Sequence, residues 1–403
     1  MKTTSLQQIR SICVAAVLGL ITSASIAQPL PDAAKHPMKV KPVKAHLTIL
    51  PGGDPGTPPY SQQPVALNDR GTVVGNSRQA DILGGPPEAP ALWSGKGLSL
   101  SILPLPAGAP TGGFQRNSAN GINNKGVVVG QVAWPVAGRS GDYASHAVRW
   151  DKGVPTDLGV VPGFGFSTAR AINNAGEIAG FGSSLLIGPV PQTQAVRWTP
   201  SGQLQPLDLL PTHTDSLAFG INTAGRIVGY SGIEDLDYTI ERRPVYWDGT
   251  SVTELATPAG FNQGQARAIN DAGTIVGQSA TFDLDIYDYT AVRATMWTRG
   301  VPSLLPLLAG FSASSASSIN GRGLAVGACY TDLYGAIYGF GGVPVLWNNG
   351  EVTDLRPLLE PFFPQGSQFS VTDINAAGQI TGSAVNNGSQ GFVLTVHAAA
   401  HHH

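Results

Sequence analysis

One short pattern of apolar and polar positions is written seven times along the chain. An apolar residue is followed by Asn, Gly comes three residues after the Asn, and an apolar stretch then runs to a second Gly. The clearest copies are AINNAGEIAG (171–180), GINTAGRIVG (220–229) and AINDAGTIVG (268–277). The Asn column holds Asn68, Asn123, Asn173, Asn222, Asn270, Asn320 and Asn375, and the apolar position before it holds Leu67 or Ile. Asn opens a type I turn by bonding the backbone two residues on, and Gly at the fourth position takes a left-handed conformation. The pattern therefore predicts strand, tight turn, strand, with the second Gly (Gly75, Gly130, Gly180, Gly229, Gly277, Gly327, Gly382) marking close backbone approach or a strand bend.

Two further strands recur around each hairpin. One ends in Trp, as in APALW (89–93), HAVRW (146–150), QAVRW (194–198), RPVYW (243–247), RATMW (293–297) and VPVLW (343–347), with a degraded seventh copy, GFVLT (391–395). The other is Leu-rich, as in LSILPLP (100–106), TDLGVVPG (156–163) and PLDLLP (206–211). Each unit thus holds four strands, A and B of the hairpin, C with the Trp and D with the Leu, the size of a propeller blade. The stretch 46–50 matches the D column and 391–396 matches C, so the chain starts on a D and ends on a C. Pairing these two would close a ring and remove its sheet edges, a complementarity an open array has no use for. The expected fold is an all-β, seven-bladed β-propeller over 46–397, closed by the N-terminal strand 46–50.

Composition agrees with a turn-rich β protein, at 12% charged residues with 51 Gly and 31 Pro. Residues 1–27 read as a signal peptide: Lys2 and Arg10, an apolar run from Ile12 to Ile21, and Ser25-Ile26-Ala27 before the expected cleavage point. The apolar run is shorter than the ~20 residues a membrane span needs. Residues 28–45 read as a Pro/Lys-rich linker and 398–403 as a tag remnant. The expected location is secreted or periplasmic. Without the leader, 22 basic residues face 26 acidic ones and one cysteine remains, Cys329. A nucleic-acid partner, membrane insertion and an intrachain disulfide are therefore not expected, nor is a cofactor, and the chain is expected to be a monomer. Cys329 reads as a small buried apolar residue.

The columns resemble the HAF-repeat family of bacterial extracellular repeat proteins. The residues that carry the likeness are His146-Ala147-Val148-Arg149-Trp150, Thr156-Asp157-Leu158-Gly159 and Ala171-Ile172-Asn173-Asn174-Ala175-Gly176, although the Phe of the family's name is replaced here. The resemblance implies a secreted β-repeat protein and carries over no active site.

In this strand order the A–B and C–D turns share one face and the B–C and D–A loops share the other. The first face is uniform and the second varies, and variable loops on a rigid scaffold are where function sits. Its candidate ligand-binding residues are Asp237, Tyr238, Tyr287, Asp288, Tyr289, Tyr330, Asp332 and Tyr334, a Tyr and acid mixture suited to a glycan or a protein partner. Asp283, Asp285 and Asp288 are spaced as weak Ca²⁺ ligands but lack the Gly and terminal Glu of an EF-hand loop. Arg170 and Arg267 share one place in two A strands, where each could face the central channel and hold an anion such as a uronate carboxylate, or else cap backbone carbonyls. Gly-x-Ser-x-Gly and His-Glu-x-x-His are absent. Three readings stay open: a binding propeller, a glycoside hydrolase or polysaccharide lyase with its site at the channel mouth, and a structural surface component.

Overall fold

The computed structural model describes residues 44–52, 61–78, 89–109, 117–135, 143–184, 192–234, 240–286 and 288–397. The expectations for the signal peptide and the C-terminal tract, and for Asp237, Tyr238 and Tyr287, lie outside the described residues. Lys44 and Ala45, read above as the end of the linker, open the first strand, β1 (Lys44–Ile49).

Seven four-stranded antiparallel sheets follow one another as the blades of a propeller. Six contain consecutive strands A to D. The seventh is composite: β1 is its outer strand, hydrogen-bonded along Ser389–His397 with Ile49 opposite Phe392 and Lys44 opposite His397. The two chain ends thus share one sheet, as their offset in the repeat requires. Cys329 is fully buried. Among the described residues no helix is long and apolar enough to cross a membrane.

The inner strands are Ser61–Leu67, Ser118–Ile122, Phe166–Ile172, Asp215–Ile221, Gln263–Ile269, Ala313–Ile319 and Gln368–Ile374. At the end of each, the Asn-led turn forms as expected. In the first, Gly71 N donates to Asn68 O, Asn68 N to Thr72 O, and Gly71 sits at φ 76°. The Asn side chain does more than its turn requires. Its Oδ1 accepts the N–H groups of its own turn, as Asn68 does from Arg70 and Thr72, while its Nδ2 donates to the Asn carbonyl of the next blade. These donations run Asn68 to Asn123, Asn173, Asn222, Asn270, Asn320, Asn375 and back to Asn68, at 3.0 to 3.3 Å. Seven buried amides therefore stitch all seven blades into a closed ring.

Every inner strand also shifts register once, leaving one bulged residue: Val65, Asn120, Arg170, Phe219, Arg267, Ser317 or Thr372. The bulge drives a backbone carbonyl against the second Gly of strand B. A Cβ on Gly180 would stand 2.0 Å from Thr168 O, and one on Gly229 1.8 Å from Leu217 O, so only Gly fits.

The six Trp side chains are 0–1% exposed. Each Nε1–H donates to a carbonyl just past the outer strand of the preceding blade: Pro51, Pro104, Leu158, Asp208, Ala256 and Pro306. Seven apolar clusters lie between neighbouring blades, so the core is a ring of interfaces. In the seventh blade Leu394 occupies the Trp register, opposite Ile380, and the ring of Phe392 covers Gly382 instead.

Candidate functional site

The face opposite the Asn ring is built up at blades 5 and 6. Strands Ile275–Asp283 and Asp288–Thr298 make a long hairpin. Beside it a short helix, α1 (Leu333–Tyr338), is capped by Asp332, whose Oδ1 accepts Gly335 N–H at 2.7 Å. Ala336 of this helix packs on Ala280 and Val292 of the hairpin and on Ala313 and Tyr330.

This packing divides the candidate tyrosines. Tyr330 is buried beneath the helix, 3.4 Å from Ser315 Oγ, and Tyr289 is half-buried edge-on to Phe282 at 5.1 Å. Burial pushes both phenol pKa values up. Neither ring is offered to a ligand on the rim. Tyr334 is exposed, as is its neighbour Tyr338 at 4.5 Å; Phe340 after the helix and Leu284 and Ile286 at the hairpin tip are exposed too, so this part of the face is apolar. Exposed acids border it: Asp285, Asp288 and Asp332.

The Ca²⁺ reading of the hairpin tip is corrected. Among the described residues no three His, Cys, Asp or Glu side chains converge on a metal position. Asp283 Oδ1 accepts Asp285 N–H at 2.9 Å and Asp288 Oδ1 accepts Tyr289 N–H at 2.7 Å, so these carboxylates serve the turn.

Arg170 and Arg267 hold the same bulge position on the inner strands of blades 3 and 5, and the charge of Arg267 acts on Arg170. The other bulge residues show what the position does structurally. Asn120 donates to Ala169 O, Ser317 to Val371 O and Thr372 to Pro64 O, each on the next blade, while Val65 and Phe219 are apolar. Among the described residues neither arginine makes such a bond. Among the described residues neither forms an ion pair, and the buried Arg267 Nε has no hydrogen-bond partner. Arg267 lies over Phe219 at 5.7 Å and Arg170 over Phe181 at 5.6 Å. Arg170 is open to channel solvent yet enclosed by protein. Burial pushes its guanidinium below the usual value and the charge of Arg267 pushes the same way. Burial also lowers Arg267; Tyr330 opposes this and Arg242 adds to it.

Other polar groups carry no repeat signature and escape a reading by columns. Buried Asp215 accepts Tyr230 O–H at 3.0 Å and Thr193 N–H at 2.9 Å, and Arg242 covers the Tyr230 ring at 5.1 Å. Near the Asn end, Asp373 stands in the inner-strand column that is Ala or Gly in five of the other blades and Ser in the sixth, where it accepts Leu67 N–H at 3.0 Å and Ser318 O–H at 2.6 Å. Its pKa is raised to about 6, chiefly by burial.

No family model matches the chain, and no curated protein matches it. Among solved structures, it is similar to the β-propeller domain of the Trilobed protease from Pyrococcus furiosus, at 10% identity and a TM-score of 0.49 over 81% of this chain and 89% of that one. It is also similar to a gluconolactonase from Xanthomonas campestris (10% identity, TM-score 0.33, 87% of this chain and 100% of that). A third is the acylaminoacyl peptidase of Pyrococcus horikoshii (11%, 0.37, 81% and 57%). At such identities their chemistry does not carry over.

Proposed function

We propose that the chain is a HAF-repeat propeller that works outside the cell by binding a glycan or protein on the loop face of blades 5 and 6. One observation carries the reading: Tyr334 and Tyr338 stand exposed with their rings 4.5 Å apart, on a helix packed against the hairpin whose tip exposes Leu284 and Ile286. Exposed apolar surface with a polar rim is the signature of a recognition surface. Aromatic rings stack on sugar faces, and the bordering Asp285, Asp288 and Asp332 can accept hydroxyl protons. The experiment is binding to an array of extracellular glycans and to surface-protein extracts, for the wild type and Tyr334→Ala/Tyr338→Ala. Loss of the bound species in the double variant is expected. Undiminished binding would remove this face from the reading.

Cleavage of an acidic polysaccharide by elimination keeps one feature in its favour, the charge of Arg267 on blade 5, which favours the phenolate of Tyr330 on blade 6. An elimination needs a phenolate base, and burial of Tyr330 makes that form scarcer at neutral pH. Absence of new ultraviolet absorbance from unsaturated ends, after incubation with pectate or alginate, is the expected result.

A further inference from the structure

We propose that Arg170 and Arg267 form a receptor in the central channel for one carboxylate of a ligand, with Phe219 as the plate against which the ligand's body rests. This site lies inside the ring, away from the exposed patch, and does not depend on what that patch binds.

The argument starts from the bulge column. All seven residues occupy one backbone position, so their differences isolate the side chain. Where that side chain is Asn120, Ser317 or Thr372, it closes a bond to the next blade. At blades 3 and 5 a longer, charged side chain stands there and, among the described residues, closes none. A guanidinium carries five donors, and the buried Nε of Arg267, left without a partner, is unfavourable unless something else offsets it. The ring gains no bond from either residue, and the positive charges of the two work against each other. An anion entering from the loop face would supply the missing acceptors and cancel that repulsion.

The surroundings narrow the class. Two planar forks suit the two oxygens of a carboxylate. Phe219 is the bulge residue of blade 4, between the blades that carry the two arginines, and its ring already lies against Arg267. Hydroxyls of Ser315 and Tyr330 stand nearby on blade 6. A carboxylate, an apolar face and hydroxyls occur together in a uronic acid, which is the class the site fits.

The test uses the full chain and two sugars that differ at one carbon, galacturonate and galactose, with inorganic phosphate as a third probe. Thermal melts and titration calorimetry are read for the wild type, Arg170→Gln, Arg267→Gln and the double variant. Galacturonate is expected to raise the melting temperature in a dose-dependent way, galactose not to, and each single variant to bind galacturonate about tenfold or more weakly. The unliganded double variant is expected to melt no lower than the wild type, because it loses two uncompensated charges and no hydrogen bond. Equal shifts with galactose and galacturonate, or none with either at millimolar concentrations, would overturn the site; neither result depends on a variant. A shift with phosphate but not galacturonate would overturn the carboxylate assignment. A double variant that melts well below the wild type would overturn it too, by showing that the arginines hold the ring.

Discussion

The two ends of the ring use the same strands to opposite purposes. At the Asn end the buried amides are spent internally, each Asn closing its own turn with Oδ1 and the next blade with Nδ2. At the other end the strands run out at different lengths, a helix replaces a loop, and apolar rings face solvent. The contrast also appears within single strands. Arg170 stands on an inner strand and Asn173 just past its end, three residues on; among the described residues the first has no hydrogen-bond partner and the second has several. The repeat is therefore regular where its side chains are committed to neighbouring blades. It loses regularity where they are released, and the released groups are the ones with something left to bind.

The comparison breaks most severely if the inter-blade commitments are removed. Trp198→Ala takes a fully buried ring out of the interface between blades 2 and 3 and leaves Leu158 O without its donor. A loss of about 3–5 kcal/mol is expected in urea unfolding, from the cavity and the lost bond together. A change below ~1 kcal/mol would mean that the Trp column is not what joins the blades.

A smaller effect separates the two jobs of the Asn. Asn222→Ala loses the turn bond from Arg226 N–H and the link to Asn270 O. Asn222→Asp keeps the acceptor for the turn but places an anion against that carbonyl. Both variants should lose about 1–3 kcal/mol, and Asp should recover part of its loss at acid pH, when its carboxyl can donate again. Equal losses for the two at every pH would show that the turn alone matters.

Much of the committed half was legible. The seven-fold spacing of Asn, Gly and Trp gave the blade, and the D-to-C offset of the chain ends gave the closure, because both depend on residue type at fixed distance. The amide ring was not legible, since Asn173 and Asn222 meet only after the blades close. The bulge leaves no residue signature, as Val65, Asn120, Arg170 and Phe219 share nothing. It does leave a trace in periodicity: Ala119, Ala169, Ala266 and Ala316 are fully buried three residues before a buried Ile. A regular strand would put those two positions on opposite faces. On the loop face, sequence grouped Tyr330 with the rim tyrosines. It lies on a strand paired to the inner strand, and no residue marks where the strand ends and the loop begins.

Asp373 joins the two ends of the chain electrostatically, bonding blade 6 through Ser318 and blade 1 through Leu67. Its folded pKa of about 6 lies above the ordinary carboxylate value of 3.8, so the folded state favours the protonated form. The stabilisation this gives is complete below about pH 4 and is lost as pH rises through about 6. The wild type should therefore gain about 1–2 kcal/mol relative to Asp373→Asn when the pH falls from 7.5 to 5, a figure reduced for the residue's partial exposure. Parallel pH profiles for the two proteins in urea unfolding would assign the acid response to other carboxylates.

The smallest stability effect belongs to the exposed patch, and its smallness is the point. Tyr334 and Tyr338 touch each other and solvent, and the helix they stand on is held by Ala336 and Asp332. Tyr334→Ala with Tyr338→Ala should change unfolding stability by about 0.5 kcal/mol or less, the range of surface substitutions away from any cap or core contact. A loss of several kcal/mol, comparable to that of Trp198→Ala, would show that these rings are spent on the fold like the Asn and Trp columns. The loop face would then hold no released side chains at blade 6, and its difference from the Asn end would be one of shape alone.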